Sequence, residues 1–493
     1  MSRVCIIGAG FGGLALALRL QAAGIETTLV EAGEAPGGRA AQRAIDGMRF
    51  DLCPAPLDDP GAVQELWALY GRDVAADVPL LPVAPLWRLN WPDGAQIDWS
   101  ADSAAMARAV ARLAPGDLAG YEQFMAYAAE MRALGVFGLG DRAHTGSGLF
   151  TRALPLLLRQ QVWRSLHDKA AVLVRSDKLR QALSFRPLLK GGNPLATPAL
   201  HAATLRAEQE RGMWWPQGGA AALARAMAAL FVAQGGELRL GDPALRIHVL
   251  GNRASEVACA SGWRAHFDAV ASNADAMHTY RTLLAQTQRG ETMARRLARG
   301  RWSPGVVAVH FALEGRWPGI PHNMVLFGPR WQDWLADVFD HGVLPRDMVI
   351  RLVHPTVTDA TLAPPGRSLF SAFVPVANLG RLPIDWDTVG PVLQRRVLEE
   401  IGRRLVPDIP DRIVTAFHLT PRDGALAYNA HLGSSAGLEP SLWQSLRLRP
   451  RHRDETYRNL YLVGAGTHPG AGFGATLSGA RAVAKLIEED LQG

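Results

Sequence analysis

Glycines at fixed spacing near the start of the chain are the first residues whose pattern predicts chemistry. Gly8, Gly10, Gly12 and Gly13 follow a short apolar run and open an Ala/Leu-rich stretch, which fits the G-x-G-x-x-G spacing of a strand, turn and helix. Such glycines allow a tight turn, let a pyrophosphate approach the backbone and bring helix and strand close together. The free N–H groups and the positive helix end then bind phosphate without a cationic side chain.

The residues that follow favour FAD over NAD as the dinucleotide. Glu31 ends the second apolar run, where an acid accepts hydrogen bonds from an adenosine ribose and disfavours a 2′-phosphate. Gly37, Gly38 and Arg39 come soon after it. A second turn there would bring backbone amides and a guanidinium to the diphosphate or flavin part of an extended cofactor. A plain surface loop is the alternative interpretation of this second turn.

A third glycine cluster lies near the other end of the chain. Gly464, Gly466 and Gly472 follow an apolar run and precede a small-residue helix start. Glycine lets a backbone lie close to a cofactor, and amides at a helix N-terminus stabilise negative charge on a reduced flavin. The clusters at both ends therefore predict one shared FAD site. His468 is a candidate proton carrier there, and a loop histidine bound by backbone is the alternative.

Length and composition indicate a globular protein of two or three domains. The 493 residues are 48% hydrophobic and 20% charged, which is not the composition of a disordered or fibrous chain. The net charge is +6 without a dense Lys/Arg block, so we expect no nucleic-acid partner. Cys5, Cys53 and Cys259 form neither a disulfide framework nor a metal-ligand spacing, which favours a reducing compartment and no metal site. We expect neither a signal peptide nor a membrane-spanning run.

The apolar patterns predict the elements that must position the glycines. Runs at residues 4–7 and 26–30, with a helical stretch at 14–23 between them, predict a βαβ unit. The remaining predictions are a helical insert at 104–189, a small β-rich unit at 235–274 that returns the chain to the first domain, a sheet at 301–380, a buried strand from residue 459 and a helix at 477–491. The first and last segments are therefore expected to meet.

Residues along the whole chain resemble the bacterial phytoene desaturase family of carotenoid biosynthesis. The matching strings are Gly8 to Ala23, Gly37 to Ala40, Leu189 to Thr197, Ala271 to Asp275, Trp443 to Pro450 and Asn459 to Gly472. The last of these, Asn-Leu-Tyr-Leu-Val-Gly-Ala-Gly-Thr-His-Pro-Gly-Ala-Gly, is highly specific.

The resemblance implies an α/β fold like that of amine oxidases, with a discontinuous Rossmann-like FAD-binding domain, a mixed-sheet substrate domain and a helical, membrane-associating cap. The expected boundaries are 1–90, 217–290 and 440–493 for the FAD domain, 91–216 for the cap and 291–439 for the substrate domain. The resemblance also implies FAD as the cofactor, a membrane-dissolved carotenoid as the substrate and quinone or oxygen as the electron acceptor. The expected location is cytoplasmic, peripheral on the inner face of the cell membrane.

The resemblance also places an acid/base position near Arg152. The family pairs an acid with an arginine three residues on, whereas here Leu149 precedes the retained Arg152. Arg152 and His468 are therefore the candidate catalytic residues. Two other strings depart from the family: Asp51-Leu-Cys-Pro stands for Asp-Ala-Gly-Pro, and Phe473-Gly-Ala stands for Ile-Pro-Gly. We expect these changes to affect the substrate and the reaction outcome more than the cofactor.

Several apolar residues have two interpretations each. Cys53 is expected to be a small buried filler, with a reactive thiol near the flavin as the alternative. The segment 149–164, with its arginines, fits either a helix in a lipid headgroup layer or an ordinary cap helix. Trp214, Trp215, Trp331 and Trp334 could line a water-free substrate tunnel, but core packing is the favoured interpretation for each.

Carotenoid desaturation is the function that the residues and the resemblance favour together. A polyene cis–trans isomerase that uses reduced FAD as an unconsumed acid or base is the second hypothesis. A flavin-binding scaffold, inactive because Leu149 has replaced the acid, is the third. An amine- or aldehyde-type flavin oxidase also stays open.

Overall fold

The computed structural model describes residues 2–53, 57–134, 158–444 and 449–492. Within these ranges the strands are β1 (Arg3–Ile7), β2 (Glu26–Val30), β3 (Gln42–Ile45), β4 (Met48–Asp51), β5 (Leu80–Val83), β6 (Trp87–Asn90), β7 (Gln96–Trp99), β8 (Met213–Pro216), β9 (Glu237–Arg239), β10 (Ala244–Leu250), β11 (Arg253–Cys259), β12 (Arg264–His266), β13 (Ala269–Ser272), β14 (Gly305–Glu314), β15 (Asn323–Leu326), β16 (Ile350–Val353), β17 (Arg367–Val376), β18 (Ile413–Leu419) and β19 (Leu460–Leu462).

The α-helices of the same ranges are α1 (Phe11–Ala22), α2 (Pro60–Ala68), α3 (Ser103–Leu113), α4 (Leu118–Ala133), α5 (Leu166–Leu173), α6 (Asp177–Ser184), α7 (Ala202–Arg211), α8 (Ala220–Ala233), α9 (Ala276–His278), α10 (Gln288–Ala298), α11 (Trp331–Ala336), α12 (Trp386–Arg404), α13 (Ile409–Arg412), α14 (Pro421–Tyr428) and α15 (Phe473–Gln492).

A parallel five-stranded sheet, ordered β19-β13-β1-β2-β9, joins the two ends of the chain. Strands β1, β13 and β19 are mostly apolar and buried, as in parallel sheets covered by helices, whereas the edge strand β9 is exposed or half-buried. Helices α1, α2, α8 and α15 share one apolar core with it. The predicted βαβ unit and the meeting of the first and last segments are confirmed. Helix α15 begins at Phe473, earlier than predicted, directly after the last glycine of the third cluster.

The β-rich unit predicted at 235–274 is also present. Strands β10, β11 and β12 form a small antiparallel sheet, and β13 then returns the chain to the parallel sheet beside β1. This return places residue 273, at the carboxyl end of β13, next to the turn that follows β1.

A mixed seven-stranded sheet, ordered β18-β14-β17-β16-β15-β6-β7, forms the second large layer. Its neighbours are antiparallel except for β15 and β6, which run parallel. Strands β14 to β17 lie in the region where a substrate-domain sheet was predicted. Strands β6 and β7 join the same sheet from residues 87–99, across the predicted boundary at residue 90. The domain boundaries stay a prediction.

Helices α3 to α7 pack around a separate apolar core that is rich in aromatic side chains. They occupy much of the region predicted as a helical insert, in which residues 135–157 lie outside the described ranges. Across the described parts of the chain, no helix is both long and apolar enough to cross a membrane.

A buried ion pair crosses this helical core. Arg186 Nε donates to Glu208 Oε2 at 2.6 Å, and the two side chains are only 2% and 6% exposed. The same carboxylate oxygen accepts from Trp87 Nε1 at 3.3 Å, and the guanidinium lies 4.9 Å from the ring centroid of Trp99. A buried pair is costly to break because the remaining charge has lost its water as well as its partner.

We therefore expect Glu208→Ala to lower the free energy of unfolding by about 3–5 kcal/mol. The matched control is Glu210→Ala on the same helix, because the Glu210 side chain is 40% exposed and its partners Arg206 and Arg132 are 33% and 29% exposed. That change should cost about 0–1 kcal/mol. Urea unfolding followed by tryptophan fluorescence measures both variants. Equal, small losses would mean that the buried pair does not stabilise the helical core.

Candidate cofactor and active site

The first glycine turn connects β1 to α1. Gly8 has φ +101°, a conformation that favours glycine, and its N–H donates to the Val30 carbonyl at 2.7 Å. A Cβ on Gly13 would lie 2.0 Å from the carbonyl oxygen of Gly8, so glycine is required where helix and strand touch. Helix α1 begins after Gly10 without a capping side chain, which leaves its first N–H groups available to a ligand.

Glu31 fixes this turn from the end of β2. One carboxylate oxygen accepts from the N–H of Ala9 at 2.7 Å, and the other accepts from the N–H of Gly33 at 2.8 Å. The side chain therefore lies at the turn, as a ribose-binding acid must. Each carboxylate oxygen can accept a second hydrogen bond, so the predicted ribose contact is compatible with both bonds and stays a prediction.

The second glycine turn packs onto the first. Gly37 has φ +121°, and its N–H donates to the Ala9 carbonyl at 2.8 Å. A Cβ on Gly38 would lie 3.6 Å from the Cα of Gly10. The guanidinium of Arg39 donates to the carbonyl of Ser435 at 2.6 Å, so a distant loop fixes its direction. The turn at residues 37–38 is thus built against the first one, and its contact with the cofactor stays a prediction.

The third cluster reaches the same place through Asn273, a residue that belongs to one of the family-like strings but for which the sequence alone predicts no role. The Asn273 Nδ2 donates to the Gly8 carbonyl at 3.2 Å. A Cβ on Gly12 or on Gly464 would lie 2.5 Å from its Oδ1. Three segments that are far apart in the chain therefore converge on one amide, and the distances leave no space there for larger residues.

The remaining glycines of this loop line its continuation. A Cβ on Gly466 would lie 3.6 Å from the Cβ of Ala276, and a Cβ on Gly472 would lie 3.3 Å from the Nζ of Lys190. Gly472 has φ +123° and directly precedes α15. The loop thus runs from its contact with Asn273 to the N-terminus of α15.

The geometry fits an extended dinucleotide. A Cβ on Gly10 would come within 4 Å of only the Asn273 amide nitrogen, at 2.9 Å, and the Gly37 carbonyl oxygen, at 3.9 Å, among the described atoms. The backbone at Gly10 is therefore accessible, while Gly12 and Gly13 are enclosed by packing. An acid at one end, an uncapped helix N-terminus in the middle and a glycine loop at the other end match the parts of FAD. Contact of each predicted glycine with the cofactor stays a prediction.

The two candidate catalytic residues have different outcomes. Arg152 and Leu149 lie outside the described residues. His468 is 7% exposed in the glycine loop, and its ring centroid lies 6.4 Å from that of His452. Its backbone oxygen lies against α15, since a Cβ on Gly479 would be 3.2 Å from it. The role of His468 as a proton carrier stays a prediction.

The expectation that Cys53 is a buried filler is wrong, because Cys53 is exposed. Burial raises the pKa of Tyr428, and the neighbouring Cys53 thiol raises it further, which places Cys53 near α14. The preceding Asp51 has the structural role instead: its carboxylate accepts from the N–H of Ala220 at 2.5 Å, at the start of α8. Burial raises the pKa of Asp51 to about 6.

The tryptophans considered for a substrate tunnel are mostly core residues. Trp215, Trp331 and Trp334 are at most 5% exposed and belong to the aromatic core between the helices and the seven-stranded sheet. Trp331 and Trp334 stack with ring centroids 6.2 Å apart. Such packing keeps water out of the core between the helices and the seven-stranded sheet.

Comparisons with known proteins agree with this geometry. The family described as flavin containing amine oxidoreductase matches residues 11–487. The chain is 42% identical over 486 residues to a protein of Paracoccus sp. named phytoene desaturase (lycopene-forming), which covers 99% of this chain and 97% of that protein. It is 40% identical over 492 residues to a protein of the same name from Pseudescherichia vulneris, which covers 100% of both chains.

Solved structures support the fold independently. A putrescine oxidase variant, solved in a redesign of cofactor binding, aligns with a TM-score of 0.65 at 15% identity and covers 100% of this chain and 98% of that one. At this identity the likeness concerns the fold alone.

The accessible backbone at Gly10 predicts a selective mutational effect. Gly10→Val should yield a folded protein that purifies without flavin, because the added side chain occupies the space that a pyrophosphate needs. Gly116→Val is the control, since a Cβ at Gly116 would meet nothing within 4 Å. Flavin absorbance per protein chain measures the effect, with circular dichroism to verify folding. Full flavin content in folded Gly10→Val would contradict the site.

Proposed function

This chain belongs to the family of flavin-containing amine oxidoreductases, and from that premise we propose that it is an FAD-dependent carotenoid desaturase of the phytoene desaturase type. The observation that carries the proposal is the near-complete match to two proteins named as lycopene-forming phytoene desaturases. The three converging glycine segments support it, because they supply a site for the cofactor that this chemistry requires.

Bound FAD supplies the oxidant: for each new double bond, one hydride leaves a carbon of the polyene for the flavin, and the adjacent carbon loses a proton. The chain's own residues hold and isolate the reactants. Gly10 and the uncapped start of α1 take the pyrophosphate, and Glu31 takes the adenosine ribose. The buried aromatic core excludes water from the layer in which positive charge develops on the polyene.

His468 is the described residue that we propose as a proton carrier. It lies in the glycine loop between Gly466 and Gly470, and an imidazole ring nitrogen accepts and releases a proton near neutral pH. Its burial separates that proton from direct exchange with water, and the His452 ring lies nearby, with the two centroids 6.4 Å apart.

The named relatives also suggest a product and an acceptor. Since both form lycopene according to their names, we assign phytoene as substrate and lycopene as product of this chain. The two electrons taken for each double bond must then leave the flavin, and quinone or oxygen is the acceptor in this proposal.

We assign a peripheral place on the inner face of the cell membrane, because the substrate dissolves in lipid. The support is a run of sequence, 158–172, with exposed apolar side chains: Leu158 is 52% exposed, Trp163 48% and Val172 63%. Arg159 and Arg164 lie in the same stretch of the chain, a combination suited to an anionic headgroup layer.

The acid/base position predicts a turnover effect without loss of cofactor. Arg152→Ala should lower the turnover of phytoene by about tenfold to a hundredfold or more, the usual size of a lost proton-transfer or positioning contact, and leave FAD bound. The control is Arg295→Ala, because Arg295 is 66% exposed and its Nη2 is 3.2 Å from Glu291, outside the cofactor loops and the proposed membrane contact. Product formation per flavin measures both. Equal turnover in the two variants would remove Arg152 from the catalytic residues.

The experiment that tests the function is an anaerobic incubation of the flavin-loaded protein with liposomes that carry phytoene. We expect the flavin absorbance to bleach and extracted products with longer conjugation to appear, ending at lycopene when a quinone is added. Flavin-free Gly10→Val is the control for reactions of the lipid. Bleaching with no phytoene product, or no bleaching with any carotenoid offered, would contradict desaturation. Conversion that requires pre-reduced FAD and consumes no oxidant would identify an isomerase instead.

A further inference from the structure

Two cationic side chains meet the C-terminal glycine loop where it enters α15. A Cβ on Gly472 would lie 3.3 Å from the Nζ of Lys190, and a Cβ on Gly470 would lie 3.3 Å from the Cζ of Arg449. Both glycines have positive φ, +118° at Gly470 and +123° at Gly472. The lack of side chains at these glycines thus lets both cations approach the loop backbone.

Arg449 is a buried, charged group that forms no ion pair with any carboxylate in the described part of the chain. It is 4% exposed, and its Nη2 donates to the Leu438 carbonyl at 2.9 Å. Burial lowers the pKa of Arg449 to about 10, so the guanidinium keeps its charge near neutral pH. A cavity of about 50 Å³ beside Arg449 also contains Asp454 and Glu455, but Arg289 already binds both carboxylates, at 3.0 and 3.4 Å.

Lys190 is held at the loop by the two glycines that follow it. A Cβ on Gly191 would lie 2.5 Å from the Cβ of Ser303, and a Cβ on Gly192 would lie 2.6 Å from Pro440. Both contacts require glycine, so the backbone after Lys190 packs tightly on the 303 and 436–440 segments. This packing fixes the point from which the Lys190 side chain extends to Gly472.

The electrostatic environment of this corner is positive. Burial lowers the pKa of His201 to about 3, and the charges of Lys190 and Arg449 lower it further, so His201 stays neutral. Helix α15 adds the positive end of its dipole and has no acidic residue in its first turn. The carboxylates near this helix start are Asp58, which accepts from the N–H of Gly474 at 3.1 Å, and Asp59, which is paired with Arg211.

Arg449 is buried here, and the charge of Lys190 and the start of α15 add to its positive potential, so this part of the loop favours the binding of negative charge. Hydride transfer supplies that charge, since one hydride brings two electrons and one proton and leaves the reduced flavin with one additional negative charge. We propose that Lys190 and Arg449 form a cationic pair that stabilises the reduced, anionic cofactor and thereby raises its reduction potential. The inference rests on the FAD site of the proposed function but is independent of the identity of the polyene.

The test measures the affinity of bound oxidised FAD for sulfite, which adds to flavins and leaves negative charge on the ring, together with the reduction potential. Lys190→Met should retain FAD, bind sulfite at least tenfold more weakly and have a lower potential, by about 30 mV for a tenfold effect on a two-electron couple. Lys190→Arg keeps the charge and should recover most of both properties. Lys178→Met is the control, because Lys178 forms an ion pair with Asp93 on the surface.

The proposal for Lys190 would be overturned if Lys190→Met had the same sulfite affinity and the same reduction potential as the wild type. Arg449→Met, in folded protein that retains FAD, should show the same weakening. If it does not retain FAD, the Lys190 variants decide the question. Neither measurement uses a carotenoid, so failure of desaturation with phytoene and failure of the cationic pair are separate results.

Discussion

The contact between the Asn273 side chain and two glycine segments, the turn at 8–12 and the loop at Gly464, is the constraint on which the site depends. One amide donates to the Gly8 carbonyl, and its atoms lie within 3 Å of the places that side chains at Gly10, Gly12 and Gly464 would occupy. The Asn273 amide is half-buried, and the close approach of backbone segments to it needs glycine. The same contact therefore joins the turn after β1, the end of β13 and the loop after β19.

This convergence explains why the cofactor site requires the whole chain. The parallel sheet takes its strands from both ends and from the middle of the sequence, so the site forms only when β13 and β19 have joined β1. The intervening segments are then free to build the seven-stranded sheet and the aromatic helical core. In our proposal the parallel sheet binds the cofactor, and these other layers provide the apolar surroundings for a polyene.

The local parts of this arrangement were predictable from the sequence. The βαβ unit follows from apolar periodicity, and the roles of Gly8 and Gly13 follow from spacing, because strand, turn and helix are neighbours in the chain. Asn273 had no predictable role, because its partners are hundreds of residues away. Cys53 was assigned wrongly for the same reason: its type favours burial, but exposure depends on tertiary neighbours. The sequence of β6 and β7 likewise carries no local pattern that predicts their place in the seven-stranded sheet.

The most direct test of the central claim is the FAD dissociation constant of Asn273→Ala, measured by titration of the flavin-free protein. The variant removes the amide that aligns the glycine segments, so the constant should rise by about tenfold, which corresponds to about 1.4 kcal/mol. Asn323→Ala is the control, because Asn323 is a buried amide that donates to Leu86 in the seven-stranded sheet, away from the glycine segments. An unchanged constant in folded Asn273→Ala would contradict the claim that this convergence creates the cofactor site.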